Sequence, residues 1–192
     1  MTAFLLDREL VVATDVVEVF VASLRARYAD RPNLVAVRLD LSRGPGDLER
    51  FKLDSAVSVN VFEHIEDDGA ALAAVHQLLQ PGGTLALLVP AHPFLMGRFD
   101  RAIGHHRRYT RAGLAGKLAA AGFEVEQVRH SNLAGALGWI AMVKLLGRPQ
   151  LEGIGLFDSL VPLLRRFERL APIPFGLSLV AIARKPGSPP TA

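Results

Sequence analysis

Three groups of polar residues in this 192-residue chain have the types and spacing to do chemistry. Asp15 and Asp40 each close a short apolar run, residues 10–14 and 34–39. The pair Glu63-His64 follows a third run, in the stretch VNVFEHI, and residues 100–109 read DRAIGHHRRY. Carboxylates at the carboxyl ends of neighbouring strands suit nucleotide-like ligands, which lie in the crevice beyond those ends in open α/β sheets. Imidazole exchanges a proton near neutral pH, and guanidinium grips a carboxylate or phosphate with two parallel hydrogen bonds. Plainer readings stand beside these. Asp15 and Asp40 also suit helix caps or turns, and the arginines of 100–109 suit a solvated loop that caps helices and pairs with surface acids. His105 and His106 are adjacent and Glu63-His64 lacks a second ligand at helical spacing, so no metal cluster is expected.

The elements that must position these groups follow from periodicity. Residues 10–14 (LVVAT) and 34–39 are short, β-branched runs typical of buried parallel strands. Between them Val17, Phe20, Val21, Leu24 and Tyr28 share one helical face, with Glu18, Arg25 and Arg27 opposite. Residues 56–61 form a half-buried strand ended by Asn60. Glu66, Asp67 and Asp68 then place negative charge at a helix start, and Ala71, Leu72, Val75, Leu78 and Leu79 recur at helical spacing. Pro81-Gly82-Gly83 ends that helix and residues 85–89 make the next strand, giving a strand, helix, parallel strand unit over residues 55–93. Thr110 is the expected N-cap of a helix with the stripe Leu114, Leu118 and Ala121, stopped by Gly122 before a strand at 123–129. Residues 174–185 form a final apolar strand closed by two basic residues.

The order VNVFEHI, helix, LQPGG, TLALLVP resembles the fourth and fifth strands of a class I S-adenosylmethionine-dependent methyltransferase. The resemblance implies a Rossmann-like three-layer α/β sandwich with a mostly parallel sheet and an antiparallel last strand. It also implies a cofactor site along the strand ends. Asp15 would bind the ribose hydroxyls, Asp40 and Leu41 would flank the adenine, and Asn60, Val61 and Glu63 would lie beside the methionine end. His64, next to the expected methyl group, is the first candidate base and His105 the second. Residues 100–109 resemble a D-x-x-x-G-H-x-R-R-Y element of a methyltransferase subgroup that lies over the pocket mouth, which makes His105, His106, Arg107, Arg108 and Tyr109 candidates to meet the acceptor. The family's glycine-rich turn after the first strand has no counterpart, since the first glycine is Gly44. The resemblance therefore runs from the second strand onward, an N-terminally truncated form whose sheet is expected to show a gap and whose cofactor pocket is expected to be incomplete. The absence of an N-P-P-Y tetrapeptide after the fourth strand favours an oxygen or carbon acceptor over nitrogen.

Half the residues are hydrophobic and 22 basic residues face 19 acidic ones, a net charge of +3, so a real core is expected and nucleic-acid binding is not demanded. Zero cysteines remove disulfides, thiolate zinc sites and a cysteine nucleophile. The first ten residues make a poor signal peptide, and a cytoplasmic protein is expected. One domain spans residues 1–185, with a helical insert at about 133–171 and a disordered tail at 186–192. Within the insert, 133–146 is an apolar helix containing Trp139, too short for the roughly 20 residues a membrane span needs, and suits burial, a substrate cap or a membrane-surface contact. Residues 157–167 read as an amphipathic helix. The sequence reading is S-adenosylmethionine-dependent methyl transfer to a small or lipophilic acceptor. The alternatives are a non-catalytic, truncated or accessory relative and a nucleotide-dependent oxidoreductase.

Overall fold

The computed structural model describes residues 2–133, 135–136 and 174–187. The expected insert from 137 to 171, with its two helices, and the tail beyond 187 lie outside these residues. Strand β1 (Val11–Asp15) pairs in parallel with β2 (Leu34–Arg38), from Val11 opposite Leu34 to Asp15 opposite Arg38. Helix α1 (Glu18–Arg27) connects them, and Arg25 Nε donates to the Ala36 carbonyl at 2.9 Å. The apolar stripe expected on α1 is only partly used. Val21 is fully buried, whereas Val17, Phe20 and Val19 are exposed at 43%, 58% and 72%.

A second sheet has the order β3-β4-β6-β5, formed by β3 (Leu53–Val59), β4 (Leu79–Pro90), β5 (Glu124–Ser131) and β6 (Ser178–Arg184). β3 and β4 are parallel, and β6 runs antiparallel to both of its neighbours. The expected strand, helix, parallel strand unit and the antiparallel last strand are therefore present. β4 begins earlier than the glycine turn suggested. Gly82 N–H donates to the Lys185 carbonyl and Lys185 N–H to the Gly83 carbonyl, which keeps this stretch extended beside the end of β6. Gly83 instead allows a close approach on the β3 side, because a Cβ there would sit 2.9 Å from the Gln80 carbonyl oxygen and 3.0 Å from that of Asp54.

The main core lies on this sheet. Leu85, Leu87 and Val89 of β4, with Leu179, Ala181 and Ala183 of β6, pack against Leu72 and Val75 of α2 (Asp68–Leu78) and Leu114 and Leu118 of α4 (Arg111–Ala120). Asp67 caps α2 by accepting from Ala70 N–H at 2.9 Å, and Lys185 Nζ donates to the His76 and Leu79 carbonyls at its other end. Thr110 caps α4 as its sequence position suggests, accepting from Gly113 N–H at 3.0 Å. Thr110→Ala is expected to cost about 1 kcal/mol, read as a lowered urea midpoint with an unchanged slope.

Among the described residues the two sheets are not hydrogen-bonded to each other, so the expected gap is seen, with β1 and β2 in one sheet and β3 at the edge of the other. Val57 and Val59 of β3 are exposed at 43% and 40%. The parts meet instead through α2, against which the 3-10 turn Leu41–Arg43 packs, with Leu41 on the core. No helix among the described residues is long and apolar enough to cross a membrane.

Three histidines give the fold a pH dependence. His92 and His130 stack at 4.9 Å with an interplanar angle of 7°, and His76 meets Phe123 edge-on. Burial lowers the pKa of all three from 6.5, helped by Lys185 beside His76, by His130 beside His92 and by Arg111 beside His130. The unfolded chain takes up these protons near pH 6.5 and the folded chain only at lower pH, so their contribution is complete above that value and is lost as pH falls below it. In thermal melts stepped from about pH 7.5 to about 5.5, the Tm of the wild type is expected to drop relative to that of His76→Gln.

Candidate active site

Short turns at the carboxyl ends of the parallel strands carry the expected residues. Asp15 ends β1 half-buried, and its Oδ1 accepts from Val17 N–H at 2.8 Å, which is the turn role foreseen for it. Asp40 caps the turn after β2, accepting from Ser42 N–H at 3.1 Å and Ser42 Oγ at 2.6 Å. The Ser42 hydroxyl chiefly, then Arg43 and Arg38, hold the Asp40 carboxyl below its ordinary pKa. After β3 the chain passes through Asn60 at φ 52°, a left-handed conformation that asparagine tolerates, with its N–H on the Leu88 carbonyl. Val61 is 40% exposed, and the 3-10 turn Phe62–His64 then packs on α2, as the turn after β2 does.

That turn places Glu63 and His64 differently. Glu63 is fully buried, and both of its carboxylate oxygens have no hydrogen-bond partner among the described residues. Burial pushes its pKa up to about 7, against the pull of its own backbone amide and of Arg108. His64 is exposed and stands edge-on to His105 with ring centroids 4.7 Å apart. Its Nδ1 lies 3.2 Å from the carbonyl of Gly104, a residue at φ 82°. A carbonyl only accepts, so Nδ1 carries the hydrogen and Nε2 keeps the lone pair. His105 is fixed in the same way by the Asp100 carboxylate, with Nδ1 at 3.0 Å from Oδ1 and Nε2 3.9 Å from Glu63 Oε1. Burial lowers the pKa of His105 despite that carboxylate, so the ring is neutral near pH 7.

The segment 100–109 is held down by two buried acids. Asp100, in α3 (Arg98–Ala102), is fully buried and its Oδ1 accepts from both Arg108 Nε and the Arg108 Nη2 at 2.7 Å, while its Oδ2 accepts from Gly97 N–H. Asp68, 2% exposed at the start of α2, accepts from the Tyr109 hydroxyl at 2.9 Å and Lys117 Nζ at 2.7 Å and pairs with Arg107. Burial and the Asp68 carboxylate raise the Tyr109 pKa far above its ordinary value. Arg108 and Tyr109, expected at the acceptor, are 7% and 4% exposed and are spent on Asp100, Ala91 and Asp68. Burial makes them ties that fix the segment. Arg107 shares that role through Asp68 and the Glu66 carbonyl, while His106 is exposed and its N–H donates to the Glu63 carbonyl.

The fold thus gathers His64, His105 and Glu63 in one place, with Asn60 and Val61 beside them in sequence. Asp15, Asp40 and Leu41 sit at the ends of the other sheet. Sequence reasoning missed Asp68 and Lys117 as anchors. The one available signal was an acid at the first position of a helix, which reads equally well as complementing the helix dipole.

The fold has counterparts among known proteins. Residues 2–85 match a family model described as a methyltransferase domain. No curated protein matches the chain. Among solved structures, the complex of the Haloferax volcanii Trm112 methyltransferase activator with a methyltransferase superposes with a TM-score of 0.65 at 18% identity, covering 96% of this chain and 77% of that one. An S-adenosylmethionine-dependent methyltransferase from Mesorhizobium loti gives 0.57 at 22% identity, over 92% and 80% of the two chains. The Burkholderia thailandensis 1,6-didemethyltoxoflavin-N1-methyltransferase, with its substrate and S-adenosylhomocysteine bound, gives 0.55 at 23% identity, over 96% and 65%.

Proposed function

We propose that the chain is a class I S-adenosylmethionine-dependent methyltransferase that transfers a methyl group to an oxygen or carbon of a small or lipophilic acceptor, a reading supported by the methyltransferase-domain match over residues 2–85 and by the fold shared with solved methyltransferases. The observation that carries this reading is that the imidazoles of His64 and His105 stand 4.7 Å apart at the turn after β3, each oriented by a hydrogen bond at Nδ1. The residues present fit the cofactor by donor chemistry. Asp15 and Asp40 offer carboxylate oxygens at the ends of two adjacent parallel strands, suited to ribose hydroxyls and the adenine side, with Leu41 as an apolar flank. Asn60, Val61 and Glu63 follow β3 on the methionine side. When bound, S-adenosylmethionine supplies the activated methyl carbon. The protein's task is then to align the acceptor and remove its proton, with His64 the first candidate to receive it and His105 the second. His106 and Arg107 are the candidates to meet the acceptor, and Asp100, Arg108 and Tyr109 hold their segment in place.

The break between β1 and β3 favours a second reading, in which the chain is an accessory, non-catalytic relative or works only with another polypeptide seated at the open strand edges. A panel of phenols, enolisable carbonyl compounds and amphiphilic hydroxyl compounds, scored by acceptor-dependent release of S-adenosylhomocysteine, separates the two. Methyl transfer predicts turnover with an oxygen or carbon acceptor that drops at least about 100-fold in His64→Ala. Cofactor binding with no turnover on any acceptor would favour the accessory reading.

A further inference from the structure

Three side chains able to ligate a metal come together after β3. Glu63 presents a carboxylate that is fully buried and unpartnered. His105 directs its Nε2 lone pair toward that carboxylate at 3.9 Å, too far for a hydrogen bond. The tautomer of His64 likewise leaves its Nε2 as an acceptor. One ligand atom from each of the three residues lies within 4.8 Å of the others. A tetrahedral ion with bonds of about 2.1 Å needs ligand atoms about 3.4 Å apart, so modest side-chain rotations would close the set. We propose that Glu63, His64 and His105 form a binding site for one divalent transition-metal ion of the zinc class.

Two further features suit a metal. Both imidazoles already have the outer bond that metal-ligating histidines make, from Nδ1 to a carboxylate in His105 and to a backbone carbonyl in His64, which fixes the tautomer and orients the ring. Charge is also matched. A divalent ion would displace any proton held by Glu63 and take its buried carboxylate as the negative ligand of the set. Two imidazoles and one carboxylate are a ligand class for zinc and ferrous ions and leave at least one coordination position open. The topology explains why sequence spacing hid the set, since Glu63-His64 and His105 come from different segments joined only by the fold. In an ion-loaded chain the two Nε2 lone pairs are committed to the ion, so loaded and metal-free protein differ in which group can take a proton.

The test uses the whole chain without cofactor or acceptor, so it is read independently of methyl transfer. Metal-stripped protein is titrated with cobalt(II), followed by its visible absorption, and then with competing zinc(II). The expected result is one ion per chain and a loss of affinity of at least about 100-fold in Glu63→Gln and in His105→Ala, with His106→Asn unchanged. Circular dichroism checks folding, and the near-isosteric Glu63→Gln decides the matter if His105→Ala fails to fold. A folded chain that takes up neither ion, or one whose affinity is unaltered in Glu63→Gln, would overturn the proposal and leave a proton as the occupant of the set.

Discussion

Replacing Arg108 with methionine is expected to destabilise the protein by about 3–5 kcal/mol, the cost of leaving a buried charge without its partner. Asp100 is fully exclosed from solvent, and Arg108 is 7% exposed. Burial pushes the Asp100 pKa up, but the Arg108 guanidinium, the Gly97 N–H and His105 outweigh it and hold the carboxyl below its ordinary value. Methionine fills much of the same volume and supplies none of the two contacts at 2.7 Å. Asp100 would then keep only Gly97 N–H at 2.8 Å and His105 at 3.0 Å, and the Ala91 carbonyl would lose its contact with Arg108. Adding Asp100→Asn removes the stranded charge and is expected to recover part of the loss, so the double mutant should be more stable than the sum of the single changes. Urea unfolding of the four proteins measures this. A loss below about 1 kcal/mol for Arg108→Met would show that the pair behaves like an exposed one.

Phe62→Ala is expected to cost a similar amount, about 3–5 kcal/mol, by a different mechanism. Phe62 is 2% exposed and belongs to the main core with Leu72, Val75 and Leu85. It is also the residue immediately before Glu63 and His64 in the turn after β3. Truncation removes buried apolar surface and leaves a cavity that the surrounding sheet and helix cannot close without moving. The same change loosens the turn, so cofactor or metal affinity should fall together with stability. Denaturant unfolding gives the first quantity and titration of the folded variant the second. Unchanged binding in a destabilised Phe62→Ala protein would mean that the core does not set the position of the turn.

Much of this was legible from particular residues. β-branched runs marked β1 and β2, an apolar run marked β6, and the helical spacing of Ala71, Leu72, Val75 and Leu78 marked α2, because these signals arise within one element. Thr110 and Gly122 were readable as the start and stop of one helix for the same reason, and Gly122 does take φ 94°. The candidate site was legible only in part. Glu63, His64 and His105 were singled out one at a time, but their convergence depends on a contact between segments about 40 residues apart, as in the bond from His64 to Gly104. Asp68 was hidden in the same way, since its partners Tyr109 and Lys117 lie 41 and 49 residues away. Arg108 and Tyr109 looked like acceptor contacts because sequence shows a polar side chain without showing that it is buried. The apolar face of α1 looked like core for the converse reason, and Val17 and Phe20 remain open to solvent.

The most direct test of the central claim is calorimetric titration of the 192-residue chain with S-adenosylhomocysteine, with Asp15→Ala as control. The account predicts micromolar binding at one site per chain, weakened at least about tenfold in Asp15→Ala through loss of a charge-assisted hydrogen bond. No heat of binding from a well-folded chain, or equal affinity in Asp15→Ala, would contradict a cofactor site at the ends of β1 and β2.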